Sequence, residues 1–281
     1  MRIRSSHGVL LELHDLGGEG PALLIVHATG FCAGAYRPLA ASLSAGFHVW
    51  ALDVRGHGDS DAPADGSMSW DAISNDVLAA VRAMADGHEG PVAVGHSMGG
   101  AAILDAERKV PGTFRGAYLY EPIVFPAGAP VSDPTQNPLA VGAAKRRATF
   151  PSRAEALLRY ASRPPLGELR ADALAAYVEH GFRDLPDGTV TLKCPPEREA
   201  ATFAAAGRVT TQEVTGLALP TVVAAGQGGG PGPDPASFAP SIAKALPRSE
   251  LRVYPHLGHF GPLQDPPTVA EEILGVAWDQ L

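Results

Sequence analysis

One stretch of the sequence decides the fold: Gly95-His96-Ser97-Met98-Gly99-Gly100. An apolar run at residues 91–95 leads into it, and a helical pattern follows until Pro111 ends it. A G-x-S-x-G pattern between a strand and a helix marks a sharp turn that holds the serine in a strained conformation. Small residues on both sides relieve the crowding in such a turn. The stretch therefore predicts a nucleophile, Ser97, at the carboxyl edge of a sheet.

Short apolar runs alternate with helical patterns on both sides of this stretch. Strands are predicted at residues 9–14, 22–27, 47–52, 91–95, 116–120, 219–225 and 250–254. Helices are predicted at residues 35–44, at 69–84 with Ser69 as N-cap, after Ser97, before Leu246 and at 267–281. This order is typical of an α/β fold, a mainly parallel sheet with helices on both faces.

Residues 123–215, hereafter the lid segment, break this rhythm. They are rich in Pro and Ala and show several short helical patterns but no convincing apolar strand. We expect residues 1–122 and 216–281 to form the core and the lid segment to be a helical insertion. A chain of 281 residues with 45% apolar residues is long enough for one such unit.

Composition and charge exclude several classes of protein. The net charge is −8 and the 22 Lys and Arg residues are scattered, so we expect no nucleic-acid partner. The chain has no run of about 18 apolar residues and its start lacks a signal-peptide pattern, which predicts a cytoplasmic protein with no membrane partner. Cys32 and Cys194 lack the spacing of a metal site, so no metal or cofactor is expected. A monomer and a homodimer both remain open.

A serine hydroxyl needs a base to remove its proton, and histidine has a suitable pKa of about 6.5. Among ten histidines we favour His259, because Leu257-Gly258-His259-Phe260 lies between the last strand and the last helix. That loop also belongs to the carboxyl edge of the sheet. His256 is the alternative base.

Four segments together resemble the α/β-hydrolase superfamily, in the lid-bearing group that includes esterases, haloalkane dehalogenases and epoxide hydrolases. They are Gly95–Gly100, His27-Ala28-Thr29-Gly30-Phe31, Asp53-Val54-Arg55-Gly56-His57-Gly58-Asp59-Ser60 and Gly258-His259-Phe260. The resemblance covers nearly all of residues 9–280 and implies an α/β-hydrolase fold with an eight-stranded sheet. His27-Ala28 departs from the His-Gly of the family. Dehalogenases and epoxide hydrolases use an aspartate nucleophile, so Ser97 disfavours both of those reactions.

The acid that orients the histidine is less clear from this resemblance. The family commonly places it three residues after the end of the next-to-last strand, where this chain has Gly229. Glu121, after the strand that follows the nucleophile helix, occupies the position at which haloalkane dehalogenases carry a glutamate. Asp234, further along the Gly/Pro-rich loop, is the alternative. We choose Glu121 first and keep Asp234 open.

The resemblance also implies an oxyanion hole formed by the backbone N–H groups of Thr29 and Met98. His27 and Arg55 are expected to hold loops together rather than to touch substrate. Aromatic side chains in and near the lid segment are expected to line an apolar pocket. They are Phe31, Tyr36, Phe125, Phe150 and Phe182.

These observations predict a serine hydrolase that cleaves an uncharged carboxylic ester or related small-molecule acyl compound through an acyl-enzyme. The esterase class is the first expectation. Carbon–carbon bond hydrolysis or perhydrolysis by the same residues is the second. A non-catalytic ligand receptor on the same fold is the third.

Overall fold

The computed structural model describes residues 1–84, 90–128, 136–205, 209–228 and 234–281. Strands β1 to β11 are, in chain order, Arg2–Arg4, Leu10–Asp15, Ala22–Val26, His48–Asp53, Val92–His96, Gly116–Tyr120, Thr149–Phe150, Phe182–Asp184, Val190–Leu192, Thr221–Gly226 and Ser249–Tyr254. Helices α1 to α11 are Arg37–Leu43, Trp70–Met84, Met98–Lys109, Pro138–Ala144, Arg153–Ala161, Ala171–Gly181, Pro196–Ala204, Thr211–Val214, Ala239–Ala245, Gly261–Gln264 and Pro266–Leu274.

Within the described ranges, eight strands form one sheet in the order β1-β2-β4-β3-β5-β6-β10-β11. The pairs β1·β2 and β2·β4 are antiparallel, and the remaining pairs are parallel. His96 lies opposite Tyr120, and Gly226 lies opposite Tyr254. The carboxyl ends of β5, β6, β10 and β11 therefore meet at one edge, and the predicted mainly parallel, eight-stranded α/β-hydrolase sheet is confirmed.

Both faces of the sheet are covered by helices because successive strand residues point to opposite sides. On β3, Leu23 and Ile25 join a core that includes residues of α1 and α11. Leu24 and Val26 join a second core that includes residues of α2 and α3. All four side chains are buried, and each contributes about 1.5–3 kcal/mol by leaving water. This burial on both faces is why β3 is continuously apolar.

The boundaries differ from the predicted ones where a local signal was overlooked. The predicted helix at 35–44 is a 3-10 turn, Ala33–Tyr36, followed by α1. The last helix ends at Leu274, with Gly275 as its C-cap, and the described chain finishes with a short 3-10 turn. The predicted N-cap of α2 is confirmed, since the N–H of Ala72 donates to Ser69 Oγ at 3.3 Å.

The lid segment lies between β6 and β10 in the chain. Its described residues form helices α4 to α8, but they also form a small antiparallel sheet in the order β7-β9-β8. The helices agree with the expected helical insertion, whereas the small sheet was not predicted. These strands have only two or three residues, which is too short for an apolar run to be recognised in the sequence.

Nowhere in the described ranges does a helix combine the length and the apolar character that crossing a bilayer would require.

Candidate active site

Ser97 occupies the turn between β5 and α3. Its backbone has φ 56° and ψ −117°, which is the left-handed side of the backbone map and costs a non-glycine residue about 1–3 kcal/mol. The turn is held by two main-chain bonds: Ser97 N–H donates to the Tyr120 carbonyl at 2.9 Å, and Ile123 N–H donates to the Ser97 carbonyl at 3.2 Å. The strain predicted for this serine is therefore present in the structure.

The glycines around Ser97 are required by close contacts. A Cβ atom on Gly95 would lie 2.5 Å from the Cα of Gly100. A Cβ atom on Gly99 would collide with the carbonyl oxygen of Val26 at the end of β3. Only glycine lets the start of α3 approach the two strands this closely.

His259 contacts Glu121, which directly follows β6. His259 Nδ1 and Glu121 Oε2 are 2.6 Å apart, and Glu121 Oε1 accepts the N–H of Gly226 at 2.8 Å. The Glu121 side chain is 2% exposed. An ionised carboxylate can only accept hydrogen bonds, so Nδ1 carries the proton and Nε2 is the basic nitrogen. Glu121 itself has φ 43°, a second strained backbone position at the same edge.

The alternative residues line the same cleft as His259 and Glu121. Asp234 Oδ1 accepts the N–H of Ala236 and caps the 3-10 turn Pro235–Phe238. Asp234 and the exposed His256 line one cleft together with Glu121. Gly229 lies outside the described residues. Of the two candidate carboxylates, Glu121 is therefore the one that bonds to the His259 ring.

His96 links the serine turn to the histidine loop, and the sequence interpretation missed it. His96 Nε2 lies 2.8 Å from the His259 carbonyl oxygen, and His96 Nδ1 lies 2.7 Å from the Tyr36 hydroxyl. A carbonyl only accepts, so Nε2 carries the proton and Nδ1 accepts from the hydroxyl. Burial, with a smaller effect from His259, holds the pKa of His96 well below its usual value. The His96 ring is therefore neutral, and it connects the turn at Ser97 to the His259 loop.

The two backbone N–H groups predicted to form an oxyanion hole belong to Met98 and Thr29. Met98 is the first residue of α3, and a helix leaves its first N–H groups without partners inside the helix. Thr29 follows β3, and in the described part of the chain its N–H donates to no other protein group. The N–H of the preceding residue, Ala28, is bound by the Tyr36 hydroxyl at 3.1 Å. The chain is thus fixed immediately before Thr29.

His27 and Arg55 hold the surrounding loops. The His27 ring bonds to the Ala28 carbonyl and to the N–H of Val54, and burial lowers its pKa. Arg55 is fully buried and forms an ion pair with Asp76 at 2.6 Å. His57 is also buried, and desolvation lowers its pKa to about 3. The expectation that His27 and Arg55 fasten loops agrees with these contacts.

Among the described residues, His14, Asp53 and Asp59 are the side chains that place potential metal ligands together, within 4.8 Å of one another. Their atoms already have protein partners. Asp53 accepts the N–H groups of Ala33 and Asp59, and Lys193 pairs with Asp59 at 2.8 Å. This cluster is accounted for by loop structure. Cys32 is buried, which raises the pKa of its thiol to about 12 and keeps it protonated.

A cavity of about 480 Å³, hereafter the lid cavity, lies between the core and the lid segment. On the core side it is lined by Thr29, Phe31 and Phe260, the last of which follows His259. Phe150 and Tyr177 are among its lid-segment residues. The cavity therefore borders both the Thr29 N–H and the His259 loop.

The other aromatic residues expected in the pocket are used elsewhere. Tyr36 is buried under the Thr29 loop, where its hydroxyl is occupied by Ala28 and His96. Phe182 is buried against Phe150 within the lid segment. Phe125 packs on Phe238 at 5.5 Å between ring centroids. Aromatic residues in a packed insertion are drawn into its own core, and only Phe31 and Phe150 of the predicted set line the lid cavity.

The sheet is mainly parallel, and its carboxyl edge carries a strand-to-helix serine turn and a histidine–glutamate pair. These features together are typical of the α/β-hydrolase fold. Residues 23–272 match the alpha/beta hydrolase family, and the chain belongs to that family.

Two known relatives and one solved structure are similar to this chain. The chain is 36% identical over 98 residues to 2-(acetamidomethylene)succinate hydrolase of Mesorhizobium japonicum, covering 35% of this chain and 34% of that protein. It is 36% identical over 93 residues to protein phosphatase methylesterase 1 of Mus musculus, covering 32% of this chain and 24% of that protein. The alignments thus span about a third or less of each relative.

A solved structure of E-2-(acetamidomethylene)succinate hydrolase superposes with a TM-score of 0.79 and 21% identity over 97% of both chains. At that identity the likeness concerns the fold alone.

Proposed function

We propose that this protein is a serine hydrolase that cleaves a carboxylic ester or a related acyl compound through an acyl-enzyme. Ser97 is the nucleophile, His259 the general base and Glu121 the acid that orients the imidazole. The observation that carries the proposal is the bond of 2.6 Å between His259 Nδ1 and Glu121, with Glu121 fixed in turn by the Gly226 N–H. This pair presents His259 Nε2 as a base beside the turn that holds Ser97.

In the first half of the reaction, Ser97 Oγ attacks the carbonyl carbon while His259 Nε2 takes the hydroxyl proton. The N–H groups of Met98 and Thr29 stabilise the negative charge on the carbonyl oxygen, each contributing about 3 kcal/mol. The tetrahedral intermediate expels the leaving group, which receives the proton from His259. An acyl group is then bound to Ser97.

In the second half, His259 removes a proton from water, and the resulting hydroxide attacks the acyl carbon. The intermediate releases the acid and Ser97 regains its proton. Glu121 remains ionised throughout and stabilises the imidazolium that forms in each half. We also propose that residues 123–215 act as the lid that encloses the acyl or alcohol part of the substrate.

The relatives are consistent with this class of reaction. One matched relative is named a methylesterase and the other a hydrolase of an acetamidomethylene succinate. We extend the ester and related acyl chemistry of those names to this chain as part of the proposal.

The test is hydrolysis of 4-nitrophenyl butyrate by wild type and by Ser97→Ala. We expect the substitution to lower kcat by a factor of roughly 10⁴–10⁶, because the covalent step needs the hydroxyl. A fluorophosphonate probe should label the wild type and leave Ser97→Ala unlabelled. Equal rates and equal labelling of the two proteins would remove Ser97 from the mechanism and favour a ligand receptor.

A further inference from the structure

The lid cavity has the opposite charge to the molecule as a whole. The protein carries a net charge of −8. Five cationic residues line the lid cavity: Lys145, Arg146, Arg147, Arg159 and Arg163. Among the described residues that line it, one is acidic, Glu199. Five cations against one carboxylate leave a positive excess of four charges in a cavity that borders the proposed oxyanion hole. A cleft lined by charges of one sign concentrates ligands of the other sign.

One of these cations has a carboxylate partner among the residues that the structure describes. Arg146 pairs with Glu199 at 2.5 Å, and its guanidinium also donates to the Tyr177 hydroxyl. Lys145, Arg159 and Arg163 form no ion pair with any residue in the described ranges. Arg147 lies over the Phe150 ring at 4.6 Å and donates to a backbone carbonyl, again without a carboxylate partner in those ranges.

Arg159 and Arg163 both line the lid cavity. They are four residues apart, at the end of α5 and just beyond it, and both are exposed. Two cations without carboxylate partners in the lining of one cavity give it a positive potential that attracts an anion. A guanidinium is well suited to that role because its planar N–H groups bind a carboxylate in bidentate fashion.

Part of the cavity lining is apolar. Phe31, Phe150 and Leu166 line it and are buried. Apolar walls together with cations suit a hydrocarbon chain that ends in a charged group. Phosphate, which has no apolar part, would leave these walls uncovered.

Resting on the proposed serine hydrolysis, we propose that the acyl substrate carries a carboxylate, which is bound in the lid cavity by Arg159, Arg163 and their basic neighbours. The carbonyl to be cleaved then lies at Ser97, and the apolar walls contact the chain between the two groups. This substrate class replaces the uncharged ester expected from the sequence.

The test compares two esters of equal acyl length, mono(4-nitrophenyl) glutarate and 4-nitrophenyl valerate, which differ in the terminal carboxylate. To correct for intrinsic reactivity, kcat/KM for each ester is divided by the rate constant for hydrolysis of that ester by hydroxide. The corrected value for the glutarate ester is then divided by the corrected value for the valerate ester. We expect a ratio of roughly 10 in wild type at low salt, since one charge-assisted contact gives about this factor. The ratio should fall toward one in 0.5 M NaCl because the cations are exposed.

The variant is the double substitution Arg159→Gln and Arg163→Gln, and the control is Arg183→Gln, an exposed arginine of β8 that does not line the lid cavity. The double variant should lower the ratio about tenfold, mainly through the KM of the anionic ester, and the control should keep the wild-type ratio. A wild-type ratio of one or less, or an unchanged ratio in the double variant, overturns the inference while Ser97-dependent turnover of the valerate ester still supports the proposed function.

A second measurement is independent of turnover. Glutarate dianion should bind to wild type by calorimetry, and the double variant should weaken that binding about tenfold. If wild type and Ser97→Ala hydrolysed both esters equally slowly, the proposed function would be overturned. Absent glutarate binding, or binding unchanged by the double substitution, would overturn the anion site.

Discussion

The carboxyl edge of the sheet and the lid cavity adjoin each other but are built in opposite ways. At the edge, Glu121 and His96 are buried and each is held by partners from distant parts of the chain. In the lid cavity, Arg159 and Arg163 are exposed and project from one short helix and the turn after it. The edge fixes geometry, whereas the cavity supplies charge.

This contrast separates two kinds of contribution to a reaction. Reacting groups must be held within fractions of an ångström, which burial and backbone bonds achieve. A charged subsite tolerates looser side chains because electrostatic attraction falls off slowly with distance. Substitutions at the edge should therefore change kcat strongly, and substitutions in the cavity should change substrate preference.

The largest expected effect is at the edge. Glu121→Gln should lower kcat/KM for 4-nitrophenyl butyrate by a factor of about 10⁴, because an amide can stabilise neither the required tautomer nor the imidazolium. Asp234→Asn is the matched control and should change the rate by less than about tenfold. The reverse order of effects would transfer the acid role to Asp234 and would contradict the role given to the Glu121 contact.

The next effect concerns the Arg146–Glu199 ion pair, which lies within the lid segment and packs against Gly30 of the core. Glu199 is buried, and a Cβ atom on Gly30 would lie 2.5 Å from its Oε1. Glu199→Ala should lower the free energy of unfolding by about 3 kcal/mol, because it leaves Arg146 without its carboxylate partner. Urea unfolding measures this. Adding Arg146→Met should recover part of the loss, and a single variant as stable as wild type would show that the pair is not needed.

A smaller effect is expected from the link between the two regions. Tyr36→Phe removes the hydroxyl that the Ala28 N–H and His96 share, leaving both buried groups without that partner. The expected loss of stability is about 2 kcal/mol. We expect kcat to fall more than KM changes, since the Thr29 N–H follows Ala28. A rise in KM alone would place Tyr36 in substrate binding instead.

The smallest effect is a pH dependence of stability. Because burial lowers the pKa of His57 to about 3, the folded state stays neutral while the unfolded chain takes up a proton below pH ~6.5. Stability is therefore lost as the pH falls from about 6.5 toward 3. Between pH 6.5 and 5.5 this histidine should account for about 1 kcal/mol.

The measurement is urea unfolding at both pH values, for wild type and His57→Asn. The variant should lose about 1 kcal/mol less than wild type over this interval, whatever its absolute stability. His256→Gln, which alters an exposed histidine, serves as the control. An identical pH dependence in His57→Asn and wild type would contradict the buried neutral state of His57.

The core could be predicted from the sequence because a parallel strand buried on both faces appears as a continuous run of apolar residues. The run at β3 is apolar at every position, and Ser97 lies between glycines that the packing of α3 requires. No local sequence pattern of this kind decides whether Glu121 or Asp234 bonds to His259. That choice depends on β6 lying next to β10, which brings the Gly226 N–H to Glu121, and strand order is not a local property of the sequence.

The lid segment was less predictable for a different reason. Its strands are too short to show a period, and its aromatic residues pack against one another as well as against the cavity. One signal was present but overlooked. Lys145, Arg146 and Arg147 are consecutive, and Arg159 and Arg163 are four apart, so a local excess of positive charge stood out within an acidic chain.

The order of strands in the sheet also has a consequence for how this protein acquires its reactivity. The hydroxyl, the carboxylate, the amide that anchors it and the imidazole come from positions 97, 121, 226 and 259, which are joined only by pairing of β5, β6, β10 and β11. A chain that ends before residue 182 contains Ser97 but lacks both His259 and the Gly226 N–H that holds Glu121. Recovery of the proposed hydrolase activity after dilution from denaturant would therefore require the docking of β10 and β11.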